Sequence, residues 1–472
     1  MDNFLQLASN QRDVWQDQAF NPNSPVYNIG GTLFINGTVN YPKLNQAVQY
    51  LVNENEAFRV QVDDTSPSGQ SLIDSLKINL EFIDFSKDSS PLEKSEQWLD
   101  SNFKKAFTLK NNSLLWQFTL IKETEERYYI FTKYHHVIAD GWSGYFALTR
   151  LAQIYNDLLK NRPIARKTLE KYLSFIDQEK TYFKSLAYQS DKQYWKKILP
   201  VLPLSLIARR YPISENSLLP HSNIYRFQIS RTFYNQINQY SKNNKCTSYH
   251  SFLSALAIYF SRIYQRSDIM IGVPSTNRSG AKYKEVIGMF ISLSPLILNI
   301  NPNDSTTEIL IKCKKNLREL YRHKRFPLGH INKNLKLLQN SQDTLFDIML
   351  SYENHKYSTH YGDASIQAKQ QFSGISRYPL AVTICEFSDS DDIDIVFEGA
   401  ENCFTSTDLK SLSEYLILIL KEMLTADTLI KDIPLLTKND NELIFNQFNS
   451  STLPNTDNTK TIIDLFQQQV KT

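Results

Sequence analysis

A layered α/β fold is what this sequence predicts, and three observations carry the prediction. Runs rich in β-branched and aromatic residues alternate with stretches whose apolar residues recur at helical spacing, the pattern of helices packed on a sheet. The alternation runs through residues 8–160 and resumes, in similar style, from residue 224. A chain of 472 residues has room for two or three domains, each with its own core.

In the first half, helices are expected near residues 8–18, 91–105 and 142–160. Another is marked by Pro42 in its first turn, with Leu44, Ala47, Val48, Leu51 and Val52 on one face. Strands are expected at Gly31–Gly37, Phe58–Val62, Leu80–Ile83, Leu114–Ile121 and Arg127–Tyr134. Between Leu173 and Pro200 the pattern loosens into polar, charged runs at Asp177–Lys184 and Asp191–Lys197, which places a boundary near residue 178. The second half opens with a strand at Ile224–Ile229 and a helix capped by Ser230 with Phe233, Ile237 and Tyr240 inward. A helix bearing Phe252, Ala255, Leu256, Tyr259 and Ile263 and a strand at Asp268–Val273 follow, and Ser305 with Glu308 forms a capping box ahead of Leu310, Cys313, Leu317 and Leu320. Residues 436–472 are polar, with short apolar groups interrupted by Lys438–Glu442 and Asn449–Thr452, and read as a linker.

Bulk composition excludes several classes. Lys and Arg number 52 against 49 Asp and Glu, a net charge of +3 that asks for neither nucleic acid nor a membrane surface. The basic run Lys312, Lys314, Lys315, Arg318, Arg322, Lys324, Arg325 lies at helical spacing opposite Leu317 and Leu320, which makes it a solvated face. Cys246, Cys313, Cys385 and Cys403 are far apart and read as free thiols. There is no leader-like start and no apolar run near the ~20 residues that span a bilayer, so a soluble, cytoplasmic protein is expected. No Gly-rich phosphate loop or metal-ligand spacing is visible, no metal is expected, and His221, His250, His323, His330, His355 and His360 read as ordinary residues.

The segment that stands out is Tyr134-His135-His136-Val137-Ile138-Ala139-Asp140-Gly141-Trp142-Ser143. A buried strand feeds it and a helix leaves it, so two imidazoles, a carboxylate and a glycine share a loop held at both ends by rigid elements.

This loop resembles the His-His-x-x-x-Asp-Gly signature of the condensation domains of nonribosomal peptide synthetases, in the superfamily of chloramphenicol acetyltransferase. Leu7–Trp15 is similar to the family's opening Ser-x-Ala-Gln-x-Arg-x-x-Trp segment, with Asn10 in place of Ala, and Asn55-Glu56-Ala57-Phe58-Arg59 to its Arg-His-Glu-x-Leu-Arg segment. Gly272–Arg278, Ile287–Ser292, Phe326-Pro327 and Ser376–Leu380 resemble later segments, in order, so the likeness spans about residues 5–435. It implies two acetyltransferase-like lobes, residues 1–178 and 179–435, forming a V-shaped pseudo-dimer in a monomeric chain with one active site in the cleft. Residues 436–472 then look like a linker and the start of an adenylation domain, on the pieces Phe448–Ser451 and Leu465–Val470.

The implied chemistry is attack of an acceptor amine on a donor acyl or peptidyl thioester. Both are carried on 4'-phosphopantetheine arms of carrier proteins, with no cofactor bound by the domain itself. By resemblance His136 is the catalytic imidazole, suited either to take the amine proton or to orient the neutral amine. His135 reads as a structural imidazole that fixes the loop, Asp140 as the partner of Arg278, and Gly141 as leaving room for a pantetheine arm or for a positive φ. Trp142, Ser143, Ser292 and Ser376 are expected along the substrate channel; Ser292 stands where the family commonly has Asn. Two related readings are a starter domain that N-acylates an amino acid from acyl-CoA or an acyl carrier protein, and an epimerising domain. A reading of another class is a non-catalytic carrier-docking domain. Partners would be donor and acceptor carrier proteins and the adjacent adenylation domain, with no nucleic acid and no membrane.

Overall fold

The computed structural model describes residues 5–63, 69–109, 113–165, 169–212, 219–278, 280–340, 343–357, 360–425, 427–449 and 460–471. Ser450, Ser451 and Thr452 of the expected linker lie outside them.

The first half runs β1 (Leu5–Gln6), α1 (Ser9–Phe20), β2 (Asn28–Asn36), α2 (Tyr41–Glu54), β3 (Val60–Asp63), β4 (Gly69–Leu72), β5 (Glu81–Asp84), α3 (Pro91–Phe103), β6 (Trp116–Thr124), β7 (Arg127–His135) and α4 (Gly141–Leu159). Helices α5 (Leu173–Phe183) and α6 (Leu186–Ile198) lead to β8 (Ser222–Ile229), α7 (Arg231–Asn243), α8 (Ser248–Tyr264), β9 (Asp268–Thr276), β10 (Ile291–Asn299), α9 (Thr306–Arg322) and α10 (Leu328–Asn334). The chain continues with β11 (Ile348–Asn354), β12 (His360–Tyr361), β13 (Ala364–Gln370), β14 (Leu380–Glu386), β15 (Ile393–Ala400), α11 (Ser406–Thr425), α12 (Lys438–Glu442) and α13 (Ile462–Val470).

Two six-stranded sheets organise the molecule. One has the order β12-β13-β2-β7-β6-β5 and the other β10-β9-β11-β14-β15-β8. Strand β7 is buried along nearly its whole length because both faces of its sheet are covered. Tyr128, Ile130 and Tyr134 enter the larger core with α2 and α4, while Tyr129 and Phe131 meet Leu99 and Phe103 of α3 on the opposite face. The face of α2 expected from its spacing, Leu44, Ala47, Val48, Leu51 and Val52, is fully buried.

Several expectations change. Residue 178 lies within α5, so the run read as a loosened boundary is helical. Its helices bury only a narrow stripe, Phe175, Ile176 and Tyr182, then Asp191 and Trp195, and the charges around it are solvated faces. The two halves are also not consecutive. Strand β13 pairs antiparallel with β2, Ser365 opposite Asn36 through Gln370 opposite Gly31, so a segment from late in the chain completes the first sheet. Phe58 belongs to a 3-10 turn, Glu56–Arg59, that precedes β3. Among the described residues, no helix is long and apolar enough to cross a membrane.

Candidate active site

Strand β7 ends at His135, beside Asn28 of β2, and delivers the loop 135–140 to the space between the sheets. The loop is fixed at each step. His136 N donates to Tyr27 O at 2.8 Å, Ile138 N to His135 O at 3.1 Å, and Gln11 Nε2 to Val137 O at 2.9 Å. His135 itself is buried: its Nδ1 accepts from Val137 N at 3.1 Å and its Nε2 lies 3.0 Å from Gln18 Oε1. Acceptance at Nδ1 puts the proton on Nε2, facing the amide oxygen. Burial, and then the neighbouring His136, push the His135 imidazole down to about 3, so it is neutral and its role is to shape the loop.

Asp140 caps α4. Its Oδ1 accepts from Ser143 N at 2.8 Å and its Oδ2 from Phe290 N at 3.1 Å. Arg278 Nη2 donates to Oδ1 at 2.7 Å, an ion pair in which Asp140 is 0% exposed and Arg278 6%. Arg278 Nη1 also donates to Tyr283 O at 3.0 Å and to Val286 O, and its guanidinium lies 4.2 Å from the Phe290 ring centroid. Ser143 is buried and faces this pair, not the channel. Its hydroxyl proton is shared between Asp140 Oδ1 at 2.7 Å and Gly288 O at 2.8 Å, and its Oγ accepts from Gly288 N at 3.0 Å.

His136 is half-buried and lines a cavity of about 780 Å³ between the two sheets. Burial holds its imidazole below the ordinary histidine value; Asp140, the carbonyls of His136 and Ala139, and Glu353 pull in the opposite direction. Its Nδ1 is buried with no well-aligned partner among the described residues, which leaves the edge carrying Nε2 to face the cavity. Gly141, Ser292 and Ser376 line the same cavity. Ser292 Oγ accepts from Asn277 Nδ2 at 3.1 Å, and Ser376 Oγ is buried with no hydrogen-bond partner among the described residues. Trp142 does not join them. It packs against Tyr145, Phe146 and His355, the last of which lines the cavity. Gly141 is not among the positive-φ residues; what its missing Cβ spares is a contact at 3.0 Å with Glu353 Oε2.

Two further residues line the cavity: Glu353, which the sequence left unmarked, and His355, which it read as ordinary. Glu353 Oε2 and His355 Nε2 are 2.6 Å apart. Their one sequence signal is alternation: residues 351, 353 and 355 fall on one side of an extended chain. Asn10 was visible only as a departure, yet its Nδ2 donates to Met289 O at 2.7 Å and ties α1 to the segment before β10.

The arrangement can hold a neutral imidazole against a bound nucleophile while an ion pair from the far half of the chain keeps the loop in place. A family model described as Condensation domain matches residues 1–445. The chain is 24% identical to surfactin synthase subunit 1 of Bacillus subtilis (strain 168) over 426 residues, which is 89% of this chain and 12% of that protein. It is 24% identical to gramicidin S synthase 2 of Aneurinibacillus migulanus over 484 residues, 99% of this chain and 10% of that protein. The chain thus spans a small fraction of the length of these relatives. Among solved structures, a variant of the starter condensation domain of rhizomide synthetase RzmA, in complex with C8-CoA and Leu-SNAC, superposes with a TM-score of 0.82 at 19% identity, covering 92% of this chain and 98% of that one. The first condensation domain of the calcium-dependent antibiotic synthetase, with a substrate analogue, gives a TM-score of 0.81 at 19% identity over 92% of this chain and 99% of that one. These likenesses show a shared chloramphenicol acetyltransferase-like fold.

Proposed function

The chain belongs to the condensation-domain family, and from that premise we propose that its cavity joins an acceptor amine to a donor acyl or peptidyl thioester. Both substrates arrive on 4'-phosphopantetheine arms of carrier proteins, and the domain itself binds no cofactor. One observation carries the reading: His136 lines the cavity from a loop that Asp140 and Arg278 lock across the two halves.

The neutral amine attacks the thioester carbonyl, and the nitrogen becomes cationic as the carbon–nitrogen bond forms. That nitrogen is then far more acidic than a free ammonium, so an imidazole kept neutral by burial is basic enough to take its proton at Nε2. The thiolate leaves and recovers the proton. Holding two tethered reactants in one cavity supplies a further share of the rate. Residues 436–472 lead, on this reading, toward an adenylation domain, and the two partners are a donor and an acceptor carrier.

The test is intact-protein mass spectrometry of aminoacyl-loaded acceptor carriers mixed with candidate donors. His136→Ala should keep carrier binding and lose product by about 10²–10⁴-fold. Unchanged product in that variant overturns the assignment. Transfer from free acyl-CoA selects the starter form of the reaction, and transfer only from a peptidyl carrier selects elongation.

A further inference from the structure

The cavity contains a second ionisable constellation besides His136. Strand β11 points Ser351 and Glu353 to one face, and His355 continues that side just beyond its end. Ser351 Oγ donates to Glu353 Oε1 at 2.7 Å, and His355 Nε2 sits 2.6 Å from Glu353 Oε2. All three residues line the cavity. The imidazole is clamped by aromatic rings: Tyr145 stacks on it at 5.3 Å, Trp142 meets it edge-on at 4.6 Å, and Phe387 lies parallel at 6.5 Å. The carboxylate therefore has one orientation, pressed against the catalytic loop at Gly141.

We propose that Glu353 receives the acceptor's nitrogen, binding its amino group and stabilising the positive charge that develops on it as the carbon–nitrogen bond forms, with Ser351 and His355 as positioning residues. The inference rests on the amide-forming reading above.

Three observations support it. Among the described residues, Glu353 forms an ion pair with His355 and with no lysine or arginine. A carboxylate in a half-enclosed, largely apolar cavity is strongly favoured by an added cation, because the low dielectric amplifies the attraction. Second, burial alone would raise the Glu353 pKa, but the hydrogen bond and interaction with His355, and then the Ser351 hydroxyl, hold it below the ordinary glutamate range. The charge is present at neutral pH before any substrate arrives, which is what preorganised stabilisation needs. Third, the missing Cβ of Gly141 lets this carboxylate reach the loop that carries His136. The amine would then stand between a fixed anion and a neutral base. Glu353 stays ionised throughout: the proton passes from nitrogen to His136 and on to the departing sulfur, while the carbon–nitrogen bond forms and the carbon–sulfur bond breaks.

The competing explanation is a buried structural pair, and an isosteric change separates the two. Glu353→Gln keeps the shape and removes the charge. With the donor and acceptor found by the mass-spectrometric screen, two acceptors are compared as N-acetylcysteamine thioesters: the aminoacyl compound and its 2-hydroxyacyl isostere, whose oxygen carries no ammonium. The expected result is a fall of about 10²-fold in amide formation. Affinity for the amine acceptor should fall about tenfold or more, with affinity for the hydroxy acceptor unchanged. Thermal melting at the wild-type temperature and retained Asp140–Arg278 closure certify the fold. Should Glu353→Gln not fold, Glu353→Asp and Ser351→Ala carry the same comparison: Asp keeps the charge and should keep most of the amine preference, and loss of the Ser351 hydroxyl should weaken it; an unchanged preference in Ser351→Ala, or one lost in Glu353→Asp, overturns the proposal. A folded variant that condenses at the wild-type rate, or that loses both acceptors equally, overturns the proposal while leaving the amide-forming reading intact. A wild-type protein that joins no donor to any acceptor overturns both.

Discussion

Removing both partners of the Asp140–Arg278 pair should cost less than the two single removals added together. The pair is 2.7 Å apart and almost wholly excluded from water. In Arg278→Met, Asp140 keeps Ser143 N, the Ser143 hydroxyl and Phe290 N as donors but has no countercharge, and the carbonyls of Tyr283 and Val286 lose theirs. In Asp140→Asn, the guanidinium retains those two carbonyls and the faces of Phe290 and Phe146 but no anion. Each single change leaves a buried charge uncompensated and should cost about 3–5 kcal/mol. The double variant buries no net charge, so its cost should fall short of the sum by about 2–3 kcal/mol, the coupling expected of residues in contact. Urea denaturation of the four proteins, followed by tryptophan fluorescence, measures the cycle. Simple additivity would refute the view that this contact is what joins the loop to the second half. Activity should follow occupancy of the closed loop, so the double variant should not regain product formation.

The loop's other contacts give sharper single-site expectations. A Cβ at Gly288 would lie 2.1 Å from Cδ2 of the buried Tyr172 ring, so Gly288→Ala should destabilise by about 3 kcal/mol or more; a melting temperature equal to wild type would contradict that packing. His135→Gln tests the buried imidazole through pH. Its folded pKa of about 3 lies below the ordinary 6.5, so the unfolded chain binds the extra proton between those values. Stability from this group is therefore complete above pH 6.5 and is lost as pH falls, by about 3 kcal/mol at pH 4.5. The Gln variant should lack that slope. Asp13 and Glu398, both raised to about 7 by burial, contribute the opposite slope to both proteins and cancel in the difference. Identical pH–stability curves would show that His135 is not neutral in the fold.

Local signals were legible where one residue's chemistry decides the backbone. Pro42 and the spacing of Leu44 to Val52 announced α2, and the Ser305–Glu308 box, with Ser305 N donating to Glu308 Oε2 at 2.7 Å, announced α9. The loop at residues 135–140 was legible because a buried strand, a histidine pair and a capping Asp stand in one uninterrupted segment. What stayed hidden depends on partners distant in sequence. Nothing in Ala364–Gln370 says that its hydrogen bonds go to β2, and its half-buried alternation fits any edge pairing. The same holds for Glu353, whose meaning comes from Gly141. For Trp142 too, the sequence could not say which neighbours it meets; they are Tyr145 and His355, and His355 is far away in the chain.

The lock on the loop is assembled from the second half of the chain as much as from the first. Asp140 takes Ser143 N from its own helix, but Phe290 N and Arg278 come from the far side, and Ser143 both gives to and receives from the backbone of Gly288. Asn10 and Tyr172 each donate to Met289 O from elements of the first half. Residues 288–290 are thus a seam into which α1, the loop and the segment before α5 are all hydrogen-bonded. Backbone groups dominate that seam, and a backbone contact can be displaced only by moving the segment as a whole. The position of His136 in the cavity is for that reason a property of how the two halves meet. A substitution on the seam should alter turnover without touching either substrate, whereas one on the far wall, at Ser292 or Ser376, should alter which substrates are accepted and leave the loop where it is.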